Sequence, residues 1–305
     1  MLPGPAMKRP WAKIARTVLP FGGTVLLLAW VATRVDSAEV KTLFREAQWG
    51  WLVLAALLVL PQIFLTAWRW RRISLDLGMP LSRTHATAEY GLSMLLNQVL
   101  PGGMAGDAIR VWRHRGTHGA LGGPLRAAVV DRVVGNVAHV VVTALGLIIW
   151  VWAHPTPPPT VAWIIVGSML LAFVCLWRWP VPGLRSVVAD AQTALKSWTR
   201  VLQHAVVSIV VVYMFLLCFW CCAQALNLPL DIGAITASPL LLLALVLPIS
   251  VGGWGLREAS ATAVLGTLGW SMESSVALSA AYGLVNLAGS SPAALVLLRP
   301  LGTEQ

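Results

Sequence analysis

The segment from Asn97 to Arg110 reads NQVLPGGMAGDAIR and lies inside an otherwise apolar part of the chain. A second segment, which begins at Pro248, reads PISVGGWGLRE and follows about half a chain length later. Each contains a proline, a pair of glycines, a further glycine, and then an arginine close to a carboxylate. A bilayer tolerates such a backbone break only where the chain is buried in protein or lines a wet cavity. Each segment therefore predicts the turn of a re-entrant helical hairpin, at about 86–115 and about 234–269.

The composition around these breaks excludes a soluble protein. Of the 305 residues, 57% are apolar and only 11% are charged, whereas a soluble domain has about 25% charged residues. A membrane-crossing helix needs about 20 mostly apolar residues. Six stretches meet this length, and the first is retained as a helix although basic residues before it resemble a signal peptide. The predicted spans are about 17–33, 49–68, 133–152, 160–177, 204–224 and 276–298.

The distribution of basic residues predicts which side each loop lies on. The chain has 22 Lys and Arg against 12 Asp and Glu, a net charge of +10. With the N-terminus in the cytoplasm and both hairpins returning to their side of entry, most of the 22 lie on the cytoplasmic side, as bacterial inner-membrane proteins require. The C-terminus is then also cytoplasmic. If 232–249 were instead a full span, Arg299 would lie outside, and the charge pattern alone allows this alternative.

In this topology the two hairpins enter from opposite faces, so the halves are inverted repeats, at about 49–152 and about 204–298. The predicted fold is an all-α polytopic membrane protein, a single domain over 1–305, with about six full transmembrane helices plus two re-entrant hairpins. Interrupted helices at matching positions of inverted repeats indicate a transporter's binding site. The alternative is two unrelated loops rich in glycine and proline.

The residues at the breaks suit a charged headgroup. Asp107 and Arg110 are three residues apart on a helix and share a face. The glycines free N–H groups for an anion such as phosphate, and an arginine can bind phosphate through two nitrogens. Arg257 and Glu258 offer a similar pair in the second hairpin. The alternative is that each arginine–acid pair only pins its own hairpin.

Other polar residues predict less. Asp131 and Arg132 begin the third span, where an interfacial cap and a ligand site are equally consistent with the sequence. Asn136 and His139 share a face, which favours a helix–helix hydrogen bond over a proton path. Arg69 belongs to a basic cluster that topology places at the cytoplasmic surface. The cysteines lie in apolar runs without further metal-binding residues, so we expect no metal site.

These motifs resemble a known family. The pattern from Asn97 to Arg110, followed by Asp131-Arg132-x2-Gly135, is similar to the integral-membrane domain of lysylphosphatidylglycerol synthase/flippase proteins, and the segment from Pro248 resembles that family's second signature. The resemblance covers about residues 15–300 and implies an inner-membrane protein that moves lipid between leaflets. The headgroup-binding residues predicted from the chemistry and from this resemblance are Asn97, Gly102, Gly103, Gly106, Asp107, Arg110, Arg132, Gly252, Gly253, Arg257 and Glu258.

Full-length members of that family also carry a soluble synthase domain, whereas this sequence ends shortly after Arg299. We therefore expect a flippase for a phospholipid, aminoacyl-phospholipid or other phosphate-bearing lipid, without synthase activity or any cofactor. Two alternatives are a membrane scaffold that feeds lipid to a separate synthase or glycosyltransferase, and an intramembrane enzyme that uses Asp107 or Glu258. The expected partners are a membrane lipid, a second copy of the chain and a lipid-modifying enzyme, but no nucleic acid.

Overall fold

The computed structural model describes residues 22, 24–26, 28–100, 103–115, 121–153, 163, 167, 171, 182–243 and 253–298. Within these ranges the regular structure is entirely helical, as the sequence predicts. Short 3-10 turns follow the last two helices, at Gly266–Leu268 and Ser291–Leu298. The helices are α1 Ser37–Arg45, α2 Trp49–Asp76, α3 Arg83–Val99, α4 Ala105–Arg115, α5 Gly122–Ala153, α6 Pro182–Ala194, α7 Trp198–Ala225, α8 Ile232–Leu243, α9 Leu256–Leu265 and α10 Met272–Ser290.

Four helical stretches in the described ranges are long and apolar enough to cross a membrane. They confirm as helices the predicted spans 49–68, 133–152, 204–224 and 276–298, and all four are longer than predicted. The predicted spans 17–33 and 160–177 lie largely outside the described residues. The four stretches are Trp49–Asp76, Gly122–Ala153, Trp198–Ala225 and Met272–Leu297.

Serine hydroxyls fix where three of the helices begin. Ser82, Ser197 and Ser271 immediately precede α3, α7 and α10, and each hydroxyl accepts a hydrogen bond from a backbone N–H three residues later. Such caps satisfy one of the N–H groups that a helix start leaves without a partner. The caps lie outside the apolar runs, so these helices begin earlier than hydropathy alone predicts.

At both predicted hairpins the described residues form a short helix on each side of the glycine-rich break, and the re-entrant course of these helices in the membrane stays a prediction. In the first, α3 packs against α4, and in the second, α8 packs against α9. Gly103, Gly253 and Gly255 adopt positive φ angles of 59°, 81° and 82°, which L side chains rarely adopt. A continuous helix is impossible at these positions, and the glycines are required to turn the chain.

Both halves have the same order of elements. A long helix, two short helices around a break, and a second long helix occur as α2 to α5 and again as α7 to α10. Helices of one half also pack against helices of the other, because α2 contacts α7 and α5 contacts α8. This order fits a repeated unit, and the opposite orientation of the two units in the membrane stays a prediction.

The apolar core lies between the halves, while the outer faces of the long helices stay apolar and exposed. Trp150, Phe219, Leu241 and Tyr282 are buried in the main cluster. Cys218, Cys221 and Cys222 lie in the same cluster. Exposed side chains on α2, α5 and α7 include Leu57, Phe64, Val141, Leu145, Val206 and Val210. A surface of this kind is suited to contact with lipid chains.

A charged cavity between the two halves

A cavity of about 210 Å³ lies where the two helical breaks approach each other. Both halves line it, so neither half forms the site alone. Its polar and charged lining from the first half includes Arg69, Tyr90, Ser93, Asn97, Asp107, Arg132, Asn136 and His139. The residues of the second half that line the cavity include Ser208, Phe215, Leu242, Gly253, Tyr282 and Asn286.

Among the described lining residues, Asp107 is the one carboxylate, and each of its two oxygens accepts two hydrogen bonds. Ser93 Oγ donates to Oδ1 over 3.0 Å and Asn97 Nδ2 donates to Oδ2 over 3.2 Å. Arg110 Nη2 lies 2.9 Å from Oδ1, and Arg132 Nη2 forms an ion pair with Oδ2. Asp107 therefore ties α3, α4 and α5 together at the first break.

Asp131 forms a second centre of charge behind the cavity wall. Its side chain is fully buried, with Arg69 Nε 2.8 Å from Oδ1 and Arg110 Nη2 3.7 Å from Oδ2. The Tyr90 hydroxyl donates to Oδ2 over 3.1 Å. Arg69 also donates through Nη1 to Ser208 Oγ over 2.9 Å, and Ser208 belongs to α7. This contact is a polar link between the halves.

Arg110 is enclosed rather than presented to the cavity. Its side chain is 0% exposed, and its guanidinium carbon lies 4.4 Å from the Trp70 ring centroid and 4.3 Å from that of Tyr90. Such stacking stabilises a buried guanidinium. The geometry favours the pinning role that the sequence left open for Arg110, because it does not line the cavity.

Arg257 has the same kind of surroundings in the second hairpin. Its Nε donates to Ser279 Oγ over 2.9 Å, and its Nη2 lies 3.0 Å from Glu258 Oε1. The guanidinium carbon lies 4.5 Å from the Trp254 ring centroid. Glu258 Oε2 accepts a hydrogen bond of 2.6 Å from the Gly255 backbone. Arg257 and Glu258 thus hold the second turn together and do not line the cavity.

The cavity brings together only part of the predicted headgroup site. Gly106 supports the first hairpin from outside the lining: its N–H donates to Asn97 Oδ1 over 2.8 Å and is not free for an anion. Gly102 and Gly252 lie outside the described residues. The predicted residues that line the cavity are Asn97, Gly103, Asp107, Arg132 and Gly253.

Arg69 is the residue whose predicted position differs most from its position in the structure. The prediction of a surface position was wrong, because Arg69 is 4% exposed and lines the cavity. The spacing of residues along this helix could have shown its buried face. Gln62, Thr66, Arg69 and Ile73 recur at helical spacing and are all buried. Of the two alternatives left open for Asp131, the interfacial cap does not fit, since that carboxylate is fully buried, and Asp131 does not line the cavity either.

A helix–helix hydrogen bond at His139 is confirmed. Its Nε2 lies 3.0 Å from the carbonyl oxygen of Pro239, which joins α5 to α8. Asn136 lies one turn earlier on α5 and lines the cavity.

The model of the family described as lysylphosphatidylglycerol synthase TM region matches residues 14–292. The chain belongs to this family. The lysylphosphatidylglycerol synthase TM region family is a membrane family connected with lipids, so this chain is a multi-pass membrane protein with a lipid-related function. Comparison with curated proteins and with solved structures gives no match.

Proposed function

We propose that this member of the lysylphosphatidylglycerol synthase TM region family is a lipid flippase of the cytoplasmic membrane, and not itself an enzyme. It moves a lipid with a charged headgroup between the leaflets. The observation that carries the proposal is the cavity between the two halves, which presents Arg69, Asp107 and Arg132 inside a predominantly apolar helical bundle.

The position of these charges supports binding of a headgroup. A charged side chain within the bilayer is costly and normally marks a substrate or ion pathway. Here the charges gather at the helix breaks, where irregular backbone is tolerated because it lines a cavity. Ion pairs compensate most of the cost, and Arg132 keeps 39% of its side chain exposed. The fold thus keeps one of these charged groups accessible to a ligand.

The matching order of helices in the two halves supports alternating access. In transporters built from inverted repeats, one half rocks against the other around a site at their interface. The hydrogen bond from Arg69 to Ser208 crosses that interface in this structure and would change during such a motion. The excess of basic residues orients the protein with both termini in the cytoplasm.

Reconstitution into vesicles tests the flippase proposal. Vesicles carry a trace of phosphatidylglycerol, phosphatidylethanolamine or lysyl-phosphatidylglycerol with a fluorescent acyl chain, and dithionite bleaches the outer leaflet. We expect active protein to expose inner-leaflet label of at least one lipid faster than empty vesicles or vesicles with heat-inactivated protein. Equal rates for all three lipids and both controls would contradict the proposal. A scaffold that only delivers lipid to an enzyme would give this negative result.

A further inference from the structure

We infer that the cavity selects a lipid headgroup with a net negative charge, such as a phosphodiester without an amine, over zwitterionic and aminoacylated headgroups. The inference rests on the proposed function and narrows its substrate to anionic lipids. Its basis is the balance of charge in the network around Asp107 and Asp131, together with the exposure of the Arg132 side chain in the cavity lining.

The connected network carries one uncompensated positive charge. It contains three guanidinium groups, from Arg69, Arg110 and Arg132, and two carboxylates, from Asp107 and Asp131. Among the described lining residues, the other polar side chains are amides, hydroxyls and one imidazole. Because Coulomb interactions strengthen as the effective dielectric constant falls, the excess charge favours an anion in the cavity.

The neighbouring ion pairs do not cancel this excess. Arg113 lies 2.8 Å from Glu89 on the first hairpin, and Arg257 lies 3.0 Å from Glu258 on the second. Each of these pairs is balanced within itself. Among the described residues, the net charge of the site therefore comes from the network around Asp107 and Asp131.

Arg132 is the group placed to receive the anion. It lines the cavity, keeps 39% of its side chain exposed, and pairs with Asp107 through its Nη2. A guanidinium can bind two oxygens of a phosphate at once. Asn136 lies one helical turn further along and lines the same cavity, where its amide can donate a further hydrogen bond.

Within the described part of the cavity lining, an amine finds amide and hydroxyl oxygens but no carboxylate with a free oxygen. Both oxygens of Asp107 already accept from Ser93, Asn97 and two arginines. Asp131 is fully buried and does not line the cavity. An ammonium group on the headgroup would thus approach guanidinium groups without a carboxylate to receive it, and like charges in one site discriminate against that ligand.

Binding of short-chain lipids to the full-length protein in detergent tests the inference independently of transport. The probes are dioctanoyl phosphatidylglycerol, phosphatidylethanolamine and lysyl-phosphatidylglycerol, measured in competition by native mass spectrometry. We expect phosphatidylglycerol to bind roughly tenfold more tightly than phosphatidylethanolamine, and lysyl-phosphatidylglycerol to bind most weakly. Equal affinities, or stronger binding of either amine-bearing lipid, would overturn the inference.

Variants with altered charge then show which residue causes the preference for anionic lipids. Arg132→Gln should remove the preference, whereas Arg132→Lys should retain most of it. Arg126→Gln is the matched control, because Arg126 is also on α5, has a 38% exposed side chain, pairs with Asp190 over 2.5 Å and does not line the cavity. Asn136→Asp adds a carboxylate to the lining and should shift binding toward phosphatidylethanolamine. An anionic preference that survives both Arg132→Gln and Asn136→Asp would contradict the assignment.

The two proposals fail in different ways. Absence of scrambling with an intact anionic preference would overturn the flippase function and leave the selectivity of the cavity standing. Scrambling of all three lipids at equal rates, together with equal affinities in detergent, would overturn only the selectivity.

Discussion

Asp131→Ala should destabilise the protein by roughly 3–5 kcal/mol, the cost of leaving a buried ion pair with one partner. The variant leaves Arg69, which is 4% exposed, without its ion-pair partner. It also removes one of the two carboxylates near Arg110, which is 0% exposed. It also takes away the acceptor of the Tyr90 hydroxyl. The free energy of unfolding is measured by titration with sodium dodecyl sulfate in mixed micelles, followed by the intrinsic fluorescence of the 16 tryptophans.

Two further variants show whether burial of charge is the cause. Asp190→Ala removes the partner of Arg126 at a partly exposed site and should cost at most about 1 kcal/mol. Replacing Arg69 and Asp131 together, by Met and Leu, should be less destabilising than Asp131→Ala alone, because no unpaired charge remains at that pair. If Asp131→Ala were as stable as Asp190→Ala, the buried network would not hold the fold together.

Gly106→Ala should destabilise the protein by roughly 2–3 kcal/mol, since overpacking a tight contact forces backbone shifts. An added Cβ would overlap the backbone carbonyl oxygen of Ser93 and lie 2.9 Å from Asn97 Oδ1. The helix α4 would have to move away from α3, which also draws Asp107 from its hydrogen-bond donors. The same titration measures the loss, and scrambling should slow in parallel.

Gly266→Ala is the matched control for this substitution. Gly266 directly follows α9 in the second hairpin, with a φ of −58°, and nothing lies within 4 Å of an added Cβ. The expected stability is unchanged or slightly raised, because alanine loses less conformational entropy on folding than glycine. Equal losses in the two variants would show that the close packing of α4 on α3 does not explain the glycine at 106.

The helical breaks were predictable because glycine and proline act locally. Gly103 and Gly253 take backbone angles that other residues rarely adopt, so the turn positions can be read from the residue types. The long helices were predictable for a similar reason, since about 20 apolar residues meet the thickness of a bilayer. The family resemblance, which rests on these same motifs, is confirmed by the match over residues 14–292.

The helix ends were less predictable because paired charges extend helices beyond their apolar runs. The helix α2 continues past Arg69 to Asp76, and α5 begins at Gly122, well before its apolar run. Arg126 and Arg132 within α5 form ion pairs with acids on other elements. A hydropathy criterion assigns charged residues such as Arg126 and Arg132 to loops. They can remain helical because acids on other helices compensate their charge, and the sequence does not show that pairing.

The division of roles among the arginines could not be predicted from the sequence. Arg110 stands in a glycine-rich motif but is enclosed by two aromatic rings, whereas Arg69 stands in a basic run but lines the cavity. These positions depend on which helices pack together, and in particular on Trp70 and Tyr90 meeting around one guanidinium. The contacts of each arginine come from several helices, so the sequence alone does not show which arginine is enclosed and which lines the cavity.

Photo-crosslinking of a lipid headgroup tests most directly whether the cavity holds it. The probe is phosphatidylglycerol with a diazirine on its headgroup, incorporated with the protein into vesicles, and the crosslinked residues are identified by mass spectrometry. We expect crosslinks at cavity residues such as Met94, Asn136 and Phe215, with loss of these products in Arg132→Gln and retention in Arg126→Gln. Crosslinks confined to outward-facing residues such as Val141 and Val210 would contradict it.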